Sequence, residues 1–274
     1  MSPVPGIPLN NGVVIPQIGY GVFEIAPDDA QRMTEHAFEV GYRHVDTAAG
    51  YRNESGVGRA VVASGLPRED VFVTTKLWNA DQGYESALAA FDSSLQKLGL
   101  DYIDLYLIHF PAPTRMAYAD TWRALEKLYR DGLVRAIGVS NFKFPFLDRL
   151  LRTAEIVPAV HQIEVHPTYQ QAELDQLSRD HGIVVEAYSP LGRAADLAEP
   201  HIGAIAEAHG VTPAQVILRW HLQAGRVALP KSASFDRIAN NIDLVGFALD
   251  DAEMAAITSL ERGLRTGEDV ETFN

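Results

Sequence analysis

Asp46, Lys76 and His109 each stand immediately after a short run of apolar and β-branched residues that predicts a buried strand. Active sites of α/β barrels lie at the carboxyl ends of the strands, so this placement brings a carboxylate, an ammonium and an imidazole to one rim. Each residue alone is as well explained by a salt bridge or a backbone hydrogen bond. Together the three groups cost desolvation free energy unless they pair, and acid–base chemistry is the commonest reason to keep such a set.

The elements that must position these groups are eight short strands with helical patterns between them. The predicted strands are Gly19–Phe23, Tyr42–Val45, Val71–Thr75, Asp104–Ile108, Val134–Val139, Ala159–Val165, Ile183–Ala187 and Val227–Leu229. The predicted helices include Pro27–Val40, Tyr84–Leu98, Thr121–Tyr129, Phe146–Leu151, Gln171–Arg179, Pro213–Gln223 and Phe235–Asn241. Eight strands close a barrel, so the predicted fold class is α/β, a (β/α)8 TIM barrel, forming a single domain over residues 1–274.

An N-terminal hairpin is predicted over Ile7–Pro16, where Asn10-Asn11-Gly12 forms a turn between apolar flanks, placed to plug the barrel floor. The alternative fold is a doubly wound sheet that binds a dinucleotide through three spaced glycines. Gly19-Tyr20-Gly21 and Gly56-Val57-Gly58 each lack the third glycine. Both pairs are better interpreted as sites of tight backbone packing.

The composition restricts the partners. The formal net charge of −13 opposes binding to nucleic acid or to an anionic membrane surface, so a small molecule is the expected partner. The chain has no cysteine, which excludes disulfides and thiolate sites. Neither a secretion signal nor an apolar run long enough to cross a membrane is recognisable, so a cytoplasmic location is expected.

A family resemblance is carried by residues 41–54, which read Gly-Tyr-Arg-His-Val-Asp-Thr-Ala-Ala-Gly-Tyr-Arg-Asn-Glu and end just beyond Tyr51. This segment resembles the signature of the aldo-keto reductase family, and Lys76, His109 and Ser140-Asn141 match the family in order and spacing. The resemblance extends from about Ile7 to Val245. The short polar tail after Leu260 is similar to that of the bacterial branch that includes 2,5-diketo-gluconate reductases.

The resemblance implies a reductase that uses NADPH to convert aldehydes and ketones to alcohols. Tyr51 corresponds to the family's general acid, and its ordinary pKa of roughly 10 must be lowered by a nearby cation. Lys76 corresponds to the residue that does so, and Asp46 holds Lys76 in place. His109 corresponds to the histidine that orients the carbonyl group and shares in the proton relay. A polar pocket for the developing alkoxide is therefore expected between Tyr51 and His109.

The resemblance also implies a cofactor site. Ser140, Asn141 and Gln162 correspond to partners of the nicotinamide carboxamide, and Tyr188 to the aromatic residue that stacks on the nicotinamide ring. Lys231 and Arg237 correspond to residues that hold the adenosine 2′-phosphate, where barrels often bind phosphate. The set is completed by Ser232, Ser234 and Asn241 near phosphate or adenine, and by Gly21, Val22, Asp46, Ser189 and Leu191.

Three residues depart from the family's commonest pattern: His161 replaces asparagine, Phe110 replaces tryptophan, and Ser234 replaces an arginine frequent in related bacterial enzymes. The loss of that arginine implies a weaker preference for NADPH over NADH. The predicted substrate pocket is an aromatic barrel mouth that admits many aldehydes and ketones, lined by Phe23, Tyr51, Trp78, His109 and Phe110.

Two other functions remain open at this stage. One is a non-catalytic protein that binds NADP(H) on the same fold. The other is a metal-dependent hydrolase that uses His109, His161 and His166, although the five-residue spacing of the last two would point them to opposite faces of a strand. No metal is predicted for the reductase, and the family resemblance favours a monomer.

Overall fold

Eight parallel strands form the barrel, each paired with the next one along the chain. The computed structural model describes residues 4–267 and residue 270. The barrel strands are β3 (Tyr20–Gly21), β4 (His44–Asp46), β5 (Phe72–Leu77), β6 (Ile103–Ile108), β7 (Val134–Ser140), β8 (Val160–Glu164), β9 (Val184–Tyr188) and β10 (Val227–Leu229). The ring closes where the Gly19 N–H donates to the Ala228 carbonyl at 3.0 Å and the Gly21 N–H donates to the Pro230 carbonyl at 3.2 Å. The predicted TIM barrel is confirmed.

Helices cover the outside of the barrel. They are α1 (Pro27–Glu39), α2 (Glu54–Ala63), α3 (Tyr84–Leu98), α4 (Tyr118–Arg130), α5 (Phe144–Leu151), α6 (Ala172–Asp180), α7 (Pro200–His209), α8 (Pro213–Gln223), α9 (Phe235–Ile242) and α10 (Asp251–Thr258). The predicted helices are found with ends shifted by at most three residues. Helices α2, α7 and α10 are not among the predicted ones.

Helix α2 contains two glycines that would not be expected from helix propensity alone. Glycine lowers helix propensity, yet Gly56 and Gly58 both lie within this helix. A Cβ atom at Gly58 would lie 1.9 Å from the carbonyl oxygen of Leu98 at the end of α3, and one at Gly56 would lie 2.7 Å from the Cβ atom of Ala30 on α1. Close helix packing therefore requires these glycines, as the interpretation of tight backbone packing expects.

The N-terminal hairpin consists of β1 (Gly6–Pro8) and β2 (Val14–Pro16), paired antiparallel. Its buried Leu9 and Ile15 pack with apolar side chains of the barrel strands, among them Phe72 and Leu105. The Asn11 side chain donates to the Arg135 carbonyl at the start of β7, at 2.9 Å. The hairpin therefore covers the amino-terminal end of the barrel, as predicted.

Side chains two residues apart on a strand share a face. Along the inward face of the strands, the side chains change from apolar to polar between the two ends of the barrel. On β5 the sequence of one face is Phe72, Thr74 and Lys76, running from the hairpin toward the carboxyl end. The polar groups therefore gather at the end opposite the hairpin. Among the described residues, no helix has the length and apolar character needed to cross a membrane.

Candidate active site

Lys76 is fully buried and makes three hydrogen bonds that define the centre of the site. Its ammonium donates to Asp46 Oδ1 at 2.6 Å, to the Thr47 carbonyl at 3.0 Å and to the Tyr51 hydroxyl at 3.3 Å. Strand pairing between β4 and β5 brings Asp46 and Lys76 together, and a one-turn 3-10 helix, Ala49–Tyr51, carries the phenol over the barrel mouth. The three predicted groups therefore form one connected chain.

The electrostatics of this chain keep Lys76 charged and Tyr51 protonated. Burial disfavours the ammonium, but the Asp46 carboxylate and the Tyr51 oxygen raise the pKa of Lys76 above its usual value. Burial raises the pKa of Tyr51, and the positive charge of Lys76 opposes that rise. The net direction differs from the expected lowering, because desolvation of the phenolate outweighs the attraction of the ammonium.

His109 lies beside Tyr51 as a neutral imidazole. The two rings meet edge to face with centroids 5.6 Å apart. Burial, and secondarily the charge of Lys76, lower the pKa of His109 well below its usual range. A neutral imidazole carries a single N–H that can point at a substrate oxygen, whereas Tyr51 holds the proton available for transfer.

The residues predicted to bind substrate form a continuous aromatic mouth. The rings of Trp78 and Phe110 lie 5.4 and 4.9 Å from that of His109, and the ring of Phe23 lies 5.1 Å from that of Tyr51. Phe23 is 45% exposed, so it marks the opening toward solvent. The structure thus brings all five together.

The residues predicted to hold nicotinamide also gather beside the residues predicted to be catalytic. Asn141, at the end of β7, donates to the His109 carbonyl at 3.0 Å and to the hydroxyl of Ser140 at 3.1 Å, and it accepts from the Tyr188 hydroxyl at 2.7 Å. Gln162 on β8 donates to Asp46 Oδ2 at 2.8 Å. Ser189 and Leu191 follow Tyr188 in the loop after β9.

The residues predicted to hold phosphate cluster between β10 and α9. The hydroxyl of Ser232 accepts from Arg237 Nε and from the Ser234 backbone N–H, both at 3.1 Å. Lys231 Nζ lies 3.9 Å from a carboxylate oxygen of Glu24, which reaches it from the loop after β3. Ser234 is the N-cap residue of α9 without a side-chain capping bond, and Asn241 lies buried on the same helix.

Gly21 and Val22 connect this cluster to Asp46. Gly21 forms a parallel bridge with Lys231, and the Val22 N–H donates to the Asp46 carbonyl at 3.0 Å. These two residues therefore lie between the predicted phosphate cluster and Asp46.

Two buried carboxyl groups near the site were not predicted as site residues. Glu186, on β9, accepts from Gln162 Nε2 at 2.7 Å, and its presence within the apolar run Ile183–Ala187 is a signal readable in the sequence. Glu164, at the end of β8, accepts from the Thr266 backbone N–H and hydroxyl, both at 2.7 Å. No local sequence pattern predicts the contact between Glu164 and Thr266, because these residues are 102 positions apart in the chain.

The three histidines of the hydrolase alternative do not converge. His161 lies 3.0 Å from the Ser178 hydroxyl on α6, whereas His166 lies 2.8 Å from Asp196 Oδ2. His109 instead packs among the aromatic residues of the mouth. Within residues 4–267 and at residue 270, no group of three or more His, Asp or Glu side chains could hold a metal ion.

Comparison with known proteins agrees with this geometry. The model of the aldo/keto reductase family matches residues 17–262. An aldo-keto reductase of Mycolicibacterium smegmatis is 52% identical over 270 residues, covering 98% of both chains, and the glyoxal reductase of Bacillus subtilis is 49% identical, covering 95% of this chain and 94% of its own. A mutant of Gox0644 crystallised in complex with NADPH superposes with a TM-score of 0.93 at 44% identity, covering 98% of both chains. The chain therefore belongs to the aldo/keto reductase family.

Proposed function

We propose that this protein reduces small aldehydes and ketones to alcohols with NADPH, and that Tyr51 donates the proton. The observation that carries the proposal is the hydrogen-bonded chain from Asp46 through Lys76 to Tyr51, which ends in an aromatic mouth beside His109. A buried charged pair of this kind costs desolvation free energy. Its position next to the Tyr51 phenol, which packs against His109 at the mouth, gives it a chemical use.

Each group has a distinct role in the proposed reaction. Bound NADPH would supply a hydride to the carbonyl carbon. Tyr51 gives its proton to the carbonyl oxygen, and the Lys76 ammonium stabilises the phenolate that remains. Asp46 keeps Lys76 charged and oriented, and the neutral His109 donates a hydrogen bond to the same oxygen.

The donor set fits the nicotinamide carboxamide. Both N–H bonds of the Gln162 amide point at carboxyl oxygens of Asp46 and Glu186, which leaves Gln162 Oε1 to accept from a ligand. Asn141 Oδ1 already accepts from Tyr188 and retains a second lone pair. These two oxygens would take the carboxamide NH2 group, the Ser140 hydroxyl would meet its oxygen, and the Tyr188 ring would pack on nicotinamide.

The cluster after β10 fits a phosphate group. Arg237 and Lys231 are cations in a chain of net charge −13. The Ser232 hydroxyl accepts hydrogen bonds from Arg237 and from the backbone N–H of Ser234, the N-cap residue of α9. Helix N-termini and charge-assisted hydrogen bonds favour a bound anion. This arrangement supports NADPH over NADH, with the preference weakened by Ser234 in place of arginine.

The substrate class follows from the mouth and from one relative. Phe23, Trp78 and Phe110 offer apolar surface, with polar groups only where the carbonyl reacts. The relative from Bacillus subtilis is named a glyoxal reductase. Reactive small aldehydes, including dicarbonyl compounds, are therefore the substrates to try first.

The test is the loss of NADPH absorbance with methylglyoxal or a nitrobenzaldehyde, repeated with NADH. We expect turnover with NADPH and slower turnover with NADH. The Tyr51→Phe variant should lose at least about a hundredfold in kcat with NADPH affinity almost unchanged, because only the proton donor is removed. Tight NADPH binding without turnover of any aldehyde would instead favour a non-catalytic NADP(H)-binding protein.

A further inference from the structure

Glu186 is fully buried inside the barrel, and the proposed reaction gives it no role. One of its oxygens accepts from Gln162 Nε2 at 2.7 Å, and the same nitrogen donates to Asp46 Oδ2 at 2.8 Å. The other oxygen of Asp46 accepts a hydrogen bond from the Lys76 ammonium. A continuous line of hydrogen bonds therefore runs from Glu186 to the ammonium beneath Tyr51.

We propose that Glu186 is a positioning residue of the active site, which acts through the Gln162 amide on Asp46 and Lys76. The inference rests on the proposed function and adds a residue to it. The Gln162 amide has only two N–H bonds, and with Glu186 and Asp46 accepting both, it has one orientation. Its oxygen is then fixed toward the ligand side, and the second oxygen of Asp46 is held while the first binds Lys76.

Burial and the charges around Glu186 disfavour its ionised form. The titratable groups that face it within the described chain are His44 and Asp46 on β4 and Lys76 on β5, with Tyr51 above them. Val227, its register partner on β10, is apolar. Burial lowers the pKa of His44 to about 3, so this histidine carries no charge. The negative charge of Asp46 and the positive charge of Lys76 already cancel each other.

Ionisation of Glu186 would add an uncompensated negative charge to this interior. Burial, and then the Asp46 carboxylate, raise the pKa of Glu186 to about 8. Below that pH the carboxyl group is neutral and only orients Gln162. Above it, the new charge raises the pKa of both Tyr51 and Lys76, so Tyr51 becomes a weaker acid. Carbonyl reduction should therefore slow as pH rises through about 8.

The decisive variant is Glu186→Gln, which preserves shape and the acceptor for Gln162 but cannot ionise. We expect the fall of activity with rising pH to begin at clearly higher pH in this variant than in the wild type. Glu126→Gln is the matched control, because Glu126, on α4 and away from the site, is also a buried carboxyl, and it accepts from the backbone N–H groups of Glu155 and Ile156. Its pH profile should coincide with that of the wild type.

A spectroscopic measurement separates this inference from the proposed function. With isotope-labelled lysine, the Cε resonance of Lys76, assigned with Lys76→Met, should follow a transition near pH 8 in the wild type that is absent in Glu186→Gln. If the wild type reduces no carbonyl compound but shows this transition, the proposed function fails and the positioning of Lys76 by Glu186 stands. Without turnover and without the transition, both fail. With turnover, coinciding pH profiles of wild type and Glu186→Gln overturn the inference.

Discussion

Replacing Lys76 by methionine tests the central interaction of the site, because methionine has a similar shape and no charge. The ammonium lies 3.3 Å from the Tyr51 oxygen, and at an effective dielectric constant of about 20 a unit charge at that distance stabilises a full tyrosinate by ~5 kcal/mol. With about half of that charge developed in the transition state, ~2.5 kcal/mol is lost, a fall in kcat of roughly 70-fold.

The same substitution leaves the buried carboxylate of Asp46 without its cation. Removing one partner of a buried pair costs about 3–5 kcal/mol of the free energy of unfolding. The double variant Lys76→Met with Asp46→Asn removes both charges, so it should regain much of that stability while remaining as slow as the single variant. Lys127→Met, which breaks a pair on the exposed face of α4, should leave both the free energy of unfolding and kcat essentially unchanged.

The assay is kcat for aldehyde reduction at saturating NADPH, with urea unfolding of each variant beside it. A Lys76→Met enzyme within about threefold of the wild-type kcat would refute the assignment of Lys76 to acid tuning. Recovery of activity in the double variant would refute it equally, since that variant restores only stability.

Two further predictions concern the cofactor and the fold. Arg237→Gln should weaken NADPH binding by about 10–100-fold and leave NADH binding within about twofold, as measured by fluorescence titration, because it removes a charge-assisted contact specific to the 2′-phosphate; equal losses for both cofactors would contradict this role. Burial lowers the pKa of His166, but the hydrogen bonds that its ring donates to Asp196 and Glu164 outweigh burial and raise that pKa to about 9, so His166→Gln should cost about 3 kcal/mol of stability at pH below about 6.5. That difference should shrink as pH rises through about 9, where wild-type His166 loses its proton, and a difference independent of pH in urea unfolding would argue against a charged His166.

Much of the barrel can be predicted from the sequence, because its strands are short apolar runs and several helices begin or end at capping residues, proline or glycine. Val227–Leu229 and Pro213–Gln223 are found with the predicted bounds. Helix α10 was also readable, since Asp250 and Glu253 form a capping box at its start. Helix α2 was not, because its glycines serve contacts with distant helices.

The site was predictable in its composition and less so in its internal bonding. The order and spacing of Asp46, Lys76 and His109 follow from strand ends, which is local information. The hydrogen bond of Gln162 with Asp46 depends on two strands whose residues are 116 positions apart in the chain. The pKa of Tyr51 depends on whether its burial or the charge of Lys76 has the larger effect. The degree of burial cannot be read from the spacing of residues in the sequence.

The aromatic mouth and the buried charged pair of Asp46 and Lys76 belong to different parts of the scaffold. Phe23, Trp78 and Phe110 lie just beyond the ends of β3, β5 and β6, whereas Asp46 and Lys76 lie on strands. Loops tolerate sequence change better than barrel strands do. Replacing these loops is therefore a route to new substrates that leaves the buried pair of Asp46 and Lys76 intact, and natural divergence can follow the same route.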